Sequence, residues 1–242
     1  MLKYTQKILK HTNINGGYMN TQKEQLFIST FPFWNDLPLP DKEFLFENSY
    51  NVHYKKGTTI HDGNECTGLL MVTRGCLRIY MLSEDGKEVT LYRLDAGDIC
   101  MLSASCVLNS ITFDVFIDAE EDCDCILIAG CAFSNLAERN PYVKIFMLDG
   151  VIGRFSEVMW VMQQILFMSL DRRLAIFLLD ESSKLGSDTI KLTHEQIAKY
   201  MGSAREVVSR MMKYFVSEGI VTASRQNGIQ IIDKKKLRAI AR

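Results

Sequence analysis

No stretch of these 242 residues is apolar for long enough to cross a bilayer. Met1 to Asn20 is polar and lysine-bearing, and it lacks the apolar core and small-residue cleavage site of a secretory signal. Met19 is read as an alternative start, with a disordered extension before it. The seven cysteines are odd in number and scattered through apolar context. That excludes a disulfide framework and fits a reducing cytoplasm. There is no nucleophile elbow, phosphate loop or paired-carboxylate motif. There is no His-x-His pair either, so His53 and His61 do not form a metal-chelating pair. No catalytic residue, cofactor or metal is expected. Basic residues are missing from Leu94 to Glu138, a stretch that holds nine acidic ones.

The content present is 47% hydrophobic, which suits one or two globular domains. The net charge of -1 conceals a strong asymmetry. From Lys191 to Arg242 there are eleven Lys or Arg against four Asp or Glu, a net of +7. A basic end after an acidic middle points to a polyanionic partner for one end only.

Residues 26 to 49 mix aromatics with Pro32, Pro38 and Pro40, then a short helical run, Asp41 to Asn48, for which Asp41 is a cap. From Val52 to Ala129 short β-rich runs are punctuated by glycines. Leu69–Thr73 and Leu77–Met81 flank a tight turn at Arg74-Gly75, and Asp85-Gly86 reads as a hairpin turn. Ile111–Phe116 and Cys125–Ala129 read as further strands. Such spacing implies a sandwich, roll or barrel. The acidic run Asp118 to Asp124 reads as a solvated loop. From Pro141 to Gln164 the period becomes helical, with an apolar stripe at Phe155, Val158, Met159, Met162 and Ile165. Such a stripe either packs on the chain's own β domain or forms a dimer seam, and the seam is the preferred reading. A second helix, Leu170 to Leu185, stops at Gly186.

The strongest signal runs from Leu192 to Tyr214. Thr193 and Gln196 form a capping box that starts a helix ending near Met201-Gly202. Ser203, with Glu206 three residues on, is expected to cap a second helix. Two short helices joined by a glycine turn are a helix-turn-helix. In the second helix Val207, Val208, Met211 and Phe215 are assigned to the core, leaving Arg205, Glu206, Ser209, Arg210 and Lys213 on the other side. Arginine pairs with N7 and O6 of guanine, glutamate accepts from the cytosine amino group, and the major groove admits one helix. Arg205, Glu206 and Arg210 lie in the first two turns, where such a helix meets base edges. Thr193 and Ser203 are placed on the phosphate backbone. Ile220–Ala223 and Ile229–Ile232 around Asn227-Gly228 form a wing, with Arg225 near its tip available to a phosphate.

This order of parts, an α+β arrangement of N-terminal double-stranded β-roll, long helix and C-terminal winged helix-turn-helix, resembles the Crp/Fnr family of bacterial transcription regulators. The resemblance covers residues 26 to 240. It is most specific at Leu192-Thr193-His194-Glu195-Gln196-Ile197-Ala198 and Gly202-Ser203-Ala204-Arg205-Glu206-Val207-Val208-Ser209-Arg210. It implies that Arg205, Glu206 and Arg210 read bases, with Ser209 a further candidate. Its divisions would be an extension over 1–25, an effector-binding roll over 26–140, a dimerisation helix over 141–167 and a DNA-binding domain over 168–242. Relatives that bind cyclic AMP place a buried arginine after the Gly97-Asp98 turn, but Ile99 to Cys106 contains none. A phosphate there would lack a counter-charge, so cyclic AMP does not fit. Relatives with an iron–sulfur cluster carry close-spaced N-terminal cysteines, and none precedes Cys66.

Cys100 and Cys106, with Ser103 and Ser105, occupy the segment that holds the effector in relatives, so a small-molecule or redox signal is expected there. Cys123 and Cys125 form a Cys-x-Cys whose side chains are expected on opposite strand faces, a poor chelate. The inert reading of the cysteines is preferred. The partners expected are double-stranded DNA and a second copy of the chain, with no membrane. Two alternatives stay open: a metal-dependent, cupin-like β-barrel enzyme, and a ligand-sensing module whose winged helix contacts protein.

Overall fold

The computed structural model describes residues 21–63, 67–101, 114–224 and 228–242. The expectations for the first twenty residues therefore lie outside it. The chain divides into two compact units, one ending at Pro38 and one spanning Leu39–Arg242. In the first, helix α1 (Thr21–Thr30) leads into a 3-10 turn at Trp34–Asp36. Phe27 meets Phe31 and Trp34 edge-on at 5.3 and 5.1 Å.

The second unit opens with α2 (Leu39–Glu47), two residues earlier than the sequence suggests. Asp41 is therefore not its cap. It sits in the first turn, where its carboxylate pairs with Arg139 at 2.7 Å. Eight strands follow: β1 (Ser49–Tyr54), β2 (Thr59–His61), β3 (Leu69–Arg74), β4 (Leu77–Leu82), β5 (Glu88–Leu94), β6 (Ile99–Cys100), β7 (Phe116–Ala119) and β8 (Cys123–Ile128). They form two antiparallel sheets, ordered β1-β8-β3-β6 and β2-β7-β4-β5. Leu70, Val72, Leu77, Ile79, Leu94 and Ile117 fill the space between them. The chain changes sheet between β3 and β4 at Gly75, where φ is 88° and a Cβ would lie 2.6 Å from Cys123 Sγ. Only glycine fits that corner.

Two β-stage expectations need correction. The described part of the strand expected over 111–116 begins at Phe116 and continues to Ala119. The acidic run is not a simple solvated loop. Asp118 and Glu120 pair with the buried Arg78, Asp122 accepts from the Lys56 backbone N–H, and Asp124 pairs with Arg74 and His53.

Helix α3 (Gly130–Arg139) buries Phe133 and Leu136. It is followed at once by α4 (Pro141–Phe167), 27 residues capped by the Asn140 side chain, which accepts from Tyr142 and Val143 N–H. At 1.5 Å per residue α4 is about 40 Å long. One run of its exposed apolar residues is spaced three and four apart, Ile145, Leu148, Ile152, Phe155, Met159, Met162 and Leu166, and Tyr142, Trp160, Ile165 and Phe167 are exposed as well. Val158 leaves the stripe assigned from sequence and packs against the interior of the roll. No helix among the described residues is long and apolar enough to cross a membrane.

Met168 and Ser169 join α4 to α5 (Leu170–Leu185), which ends at Gly186 in the left-handed region. Strand β9 (Thr189–Ile190), α6 (His194–Met201), α7 (Arg205–Ser217), β10 (Val221–Ser224), β11 (Gly228–Ile231) and α8 (Lys234–Ala241) complete the chain. The wing has three strands, β10-β11-β9, one more than the sequence showed. Leu174, Leu178, Ile197, Val208, Met212, Phe215 and Leu237 form the core of this module.

Candidate nucleic-acid interface

Helix α6 starts with the expected box. Thr193 Oγ1 accepts from Gln196 N–H at 3.2 Å, and Gln196 Oε1 accepts from Thr193 N–H at 2.8 Å. Gly202 closes the helix with φ 59° and ψ 44°, and Ser203 N–H donates back to Ala198 at 2.9 Å. Ser203 is thus part of the turn rather than the cap of the next helix. Ala204 holds that place, and no side chain caps α7. The N-terminus of α7 is left without a side-chain acceptor, the condition under which a helix end takes a phosphate oxygen.

The buried face of α7 is Val208, Met212 and Phe215. Of the residues assigned to the core from sequence, Val208 and Phe215 are buried and Met211 packs against it partly buried, Val207 is not part of it, and Met212 joins it instead. The spacing of four and three fits one helix face. Opposite it Arg205, Glu206, Arg210 and Lys213 are exposed, with Ser209 and Val207 intermediate. Among the described residues none of these four charged side chains makes an ion pair. Arg205 also lies near the start of α6. Burial and the Arg205 charge together hold the His194 imidazole below its ordinary pKa. Ser203, Arg205, Glu206, Ser209, Arg210 and Lys213 thus lie at or after the turn between the two helices, while Thr193 sits at the start of α6. Arg225 lies outside the described residues.

At the roll, Cys100 is fully buried on β6, whereas Ser103, Ser105 and Cys106 lie outside the described residues. Cys123 and Cys125 do not point apart as expected. Residues two apart on a strand share a face, and both thiols enter the core between the sheets. Burial, with the neighbouring Cys123, pushes the Cys125 thiol up to about 12. Thiols in that state are poor nucleophiles and poor ligands. His53 pairs with Asp124 at 2.7 Å and His61 meets Thr67 Oγ1 at 3.0 Å. Among the described residues no group of three metal-ligating side chains occurs.

The sequence reading missed one cation. Arg154 of α4 lies over the Tyr92 ring, donates from Nη1 to both Glu157 carboxylate oxygens at 2.9 and 2.8 Å, and is 3.7 Å from Asp98. It comes from a distant helix, so inspection of residues 97–106 alone could not find it.

Residues 51–140 match the cyclic nucleotide-binding domain family, and residues 172–240 match the Crp-like helix-turn-helix domain. A solved protein of Eubacterium rectale, assigned to the crp/fnr family of transcriptional regulators, is 46% identical. The match covers 88% of this chain and 98% of that one, with a TM-score of 0.83. The chain belongs to the Crp/Fnr family. The cAMP-activated global transcriptional regulator CRP of Pasteurella multocida is 24% identical over 74% of this chain and 88% of its own. FixK2 of Bradyrhizobium japonicum shares the fold at a TM-score of 0.65 and 20% identity, covering 79% of this chain and 96% of that one. As a Crp/Fnr member the chain is a DNA-binding transcription regulator and not an enzyme.

Proposed function

We propose that the protein reads a two-fold-symmetric operator as a homodimer, under control of a small-molecule or redox signal. The observation that carries this reading is the division of α7. One face is buried in the module, and the other presents Arg205, Glu206, Arg210 and Lys213, exposed and, among the described residues, free of ion pairs. Arg205, Glu206 and Arg210 are assigned to base edges, with Ser209 within the same groove. Thr193, Ser203, Lys213 and Arg225 are assigned to phosphates.

Dimerisation is supported by α4. The alternation of three and four from Ile145 to Leu166 is the spacing of a coiled-coil seam, and it faces solvent in the single chain. Pairing there sets the two α7 helices roughly one DNA turn apart, about 34 Å. The divisions at residues 26, 141 and 168 follow these roles, with the roll as the sensing part. Cys100, Ser103, Ser105 and Cys106 are the candidates to meet the signal. Cyclic AMP is not favoured, because residues 97–106 carry no base and Arg154 is already engaged by Glu157. A DNA partner puts the protein in the cytoplasm.

Selection of duplexes from a random pool by the purified, reduced protein tests this reading. A motif with two-fold symmetry is expected. A motif without symmetry would remove the homodimer, and recovery of no motif under both reducing and oxidising conditions would remove base reading.

A further inference from the structure

The reading face of α7 has to be aimed, and the covalent connection between its module and α4 is only Met168 and Ser169. We infer that Glu88, Thr90, Arg93 and Glu120 of the roll are positioning residues for DNA binding, gripping the end of α6 just before the turn that starts α7. This inference rests on the reading of α7 given above.

The contacts converge on three consecutive residues. Lys199 Nζ is 3.1 Å from Glu88 Oε1, and the Lys199 carbonyl accepts from Thr90 Oγ1 at 3.2 Å. The Tyr200 hydroxyl donates to the Glu120 carboxylate, 2.7 Å from each oxygen. The Arg93 guanidinium lies 4.6 Å from the centroid of the Tyr200 ring and pairs with Glu181 of α5. Arg173 of α5 donates to the carbonyl of Met201. The turn itself is seated as well. A Cβ on Gly202 would lie 3.0 Å from Val89 Cγ2, so the turn approaches the roll as closely as a glycine allows.

Behind these contacts stands Arg78, only 5% exposed. It reaches Glu88 Oε2 at 2.6 Å, off the hydrogen-bond direction, then Asp118 at 3.2 Å and Glu120 at 3.7 Å. Three carboxylates therefore share Arg78 and Lys199. Burial alone would raise the Glu88 carboxyl, but the two cations hold it below its ordinary range. Withdrawal of α6 would strip Glu88 of Lys199 and Glu120 of its hydroxyl donor, exchanging half-buried partners for water while Arg78 stays behind. The grip therefore fixes an orientation. It leaves the reader uncovered, because none of Arg205, Glu206, Ser209, Arg210 or Lys213 takes part in it. A contact that holds the reader without covering it aids binding when intact and weakens binding when broken.

The test compares the full-length protein with Tyr200→Phe, Glu120→Ala, the pair together, and the conservative Glu120→Gln. Each is titrated with the selected duplex at several salt concentrations, and hydrogen exchange is followed across residues 199–204. Tyr200→Phe and Glu120→Ala should each weaken binding roughly tenfold, and the pair should do no worse than one alone, as for coupled neighbours. The salt slope and the base preference should stay as in the wild type, since no phosphate or base contact is removed. Glu120→Gln should keep most of the affinity because it still accepts from Tyr200. Exchange across 199–204 should quicken in the weakened variants while that of β3 and β8 stays put. Wild-type affinity in folded variants, or tighter binding, would overturn the inference. Unchanged exchange would overturn it too, even if the wild type selected no duplex. A wild type that selects no duplex while exchange quickens would instead remove the DNA reading and leave the grip standing. Should Glu120→Ala fail to fold, the milder Tyr200→Phe alone decides.

Discussion

The Arg154 guanidinium carbon lies 4.8 Å from the centroid of the Tyr92 ring, a cation from α4 laid on an aromatic of β5. Beneath it the Tyr92 hydroxyl is buried, with no hydrogen-bond partner among the described residues. Burial raises that phenol well above its ordinary pKa. Tyr92→Phe should therefore leave stability unchanged or raise it by about 1 kcal/mol, since an unpaired buried hydroxyl costs of that order. Denaturant melts of both proteins check this. A clear loss of stability would show that the hydroxyl does have a partner in solution.

The two kinds of DNA contact should separate by mutation. Arg205→Ala and Arg210→Ala should each cost about 1–3 kcal/mol at the cognate site and relax base preference. Lys213→Ala should weaken all duplexes alike and lower the salt slope by about 1. Anisotropy titrations on cognate and scrambled duplexes, repeated at several salt concentrations, distinguish them. Wild-type sequence preference in both arginine variants would show that another surface reads the bases.

His194 supplies a pH dependence with a defined sign. Its pKa is held below the ordinary value by burial and by Arg205, so it is neutral at pH 7. A bound phosphate backbone favours the protonated form, so the complex binds a proton more readily than the free protein does. Duplex affinity should then rise as pH falls from 7 toward 5.5, more steeply than in His194→Gln. Folding stability should move the other way. The unfolded chain takes up the proton first, so the His194 contribution is full above the unfolded value and is lost as pH falls from there through the lower folded value. Identical pH profiles for wild type and His194→Gln would sink this prediction.

Phe155 is 64% exposed in the single chain, near the middle of the seam. Phe155→Glu should forfeit roughly 2 kcal/mol of apolar burial per protomer and add like-charge repulsion across the axis. Sedimentation velocity should show a monomer, and affinity for a full operator should fall toward that for a half-site. A dimer of wild-type strength would place the interface elsewhere.

Local rules were legible and distant ones were not. Thr193 with Gln196, the stop at Gly186 and the turn at Gly202 depend on residues a few positions apart, and each stands where the sequence put it. Ser203 misled because its N–H closes α6, which no propensity for capping reveals. Thr193→Ala should accordingly cost about 1 kcal/mol of stability, whereas Ser203→Ala should cost almost none; thermal melts of the two compare them. Met212 was missed and Val207 over-assigned, because neighbouring positions differ by one helical step and only the packing around Val208 and Phe215 shows which of them turn inward. The apolar stripe on α4 was half seen. Its repeat extends back through Ile152, Leu148 and Ile145, while Val158 is claimed by the roll. Arg154, and the partners of Asp118 and Glu120, could not be read at all, since they meet only through the fold.

The stretch from Leu94 to Glu138 has no cation of its own, and the structure shows where its cations come from. Asp98 looks to Arg154 and Asp95 to Lys184, both in helices beyond residue 140, while Asp118, Glu120 and Asp124 look to Arg78 and Arg74 of the roll itself. Glu88 and Glu120 also draw on Lys199 and Tyr200. Part of the roll's charge balance lies outside it. Cut out at residue 140, it would keep its strands and lose the counter-ions that later helices lend it. Sensor and reader in this protein are therefore not interchangeable parts. A chimera that grafts another winged helix onto this roll would have to bring matching cations with it.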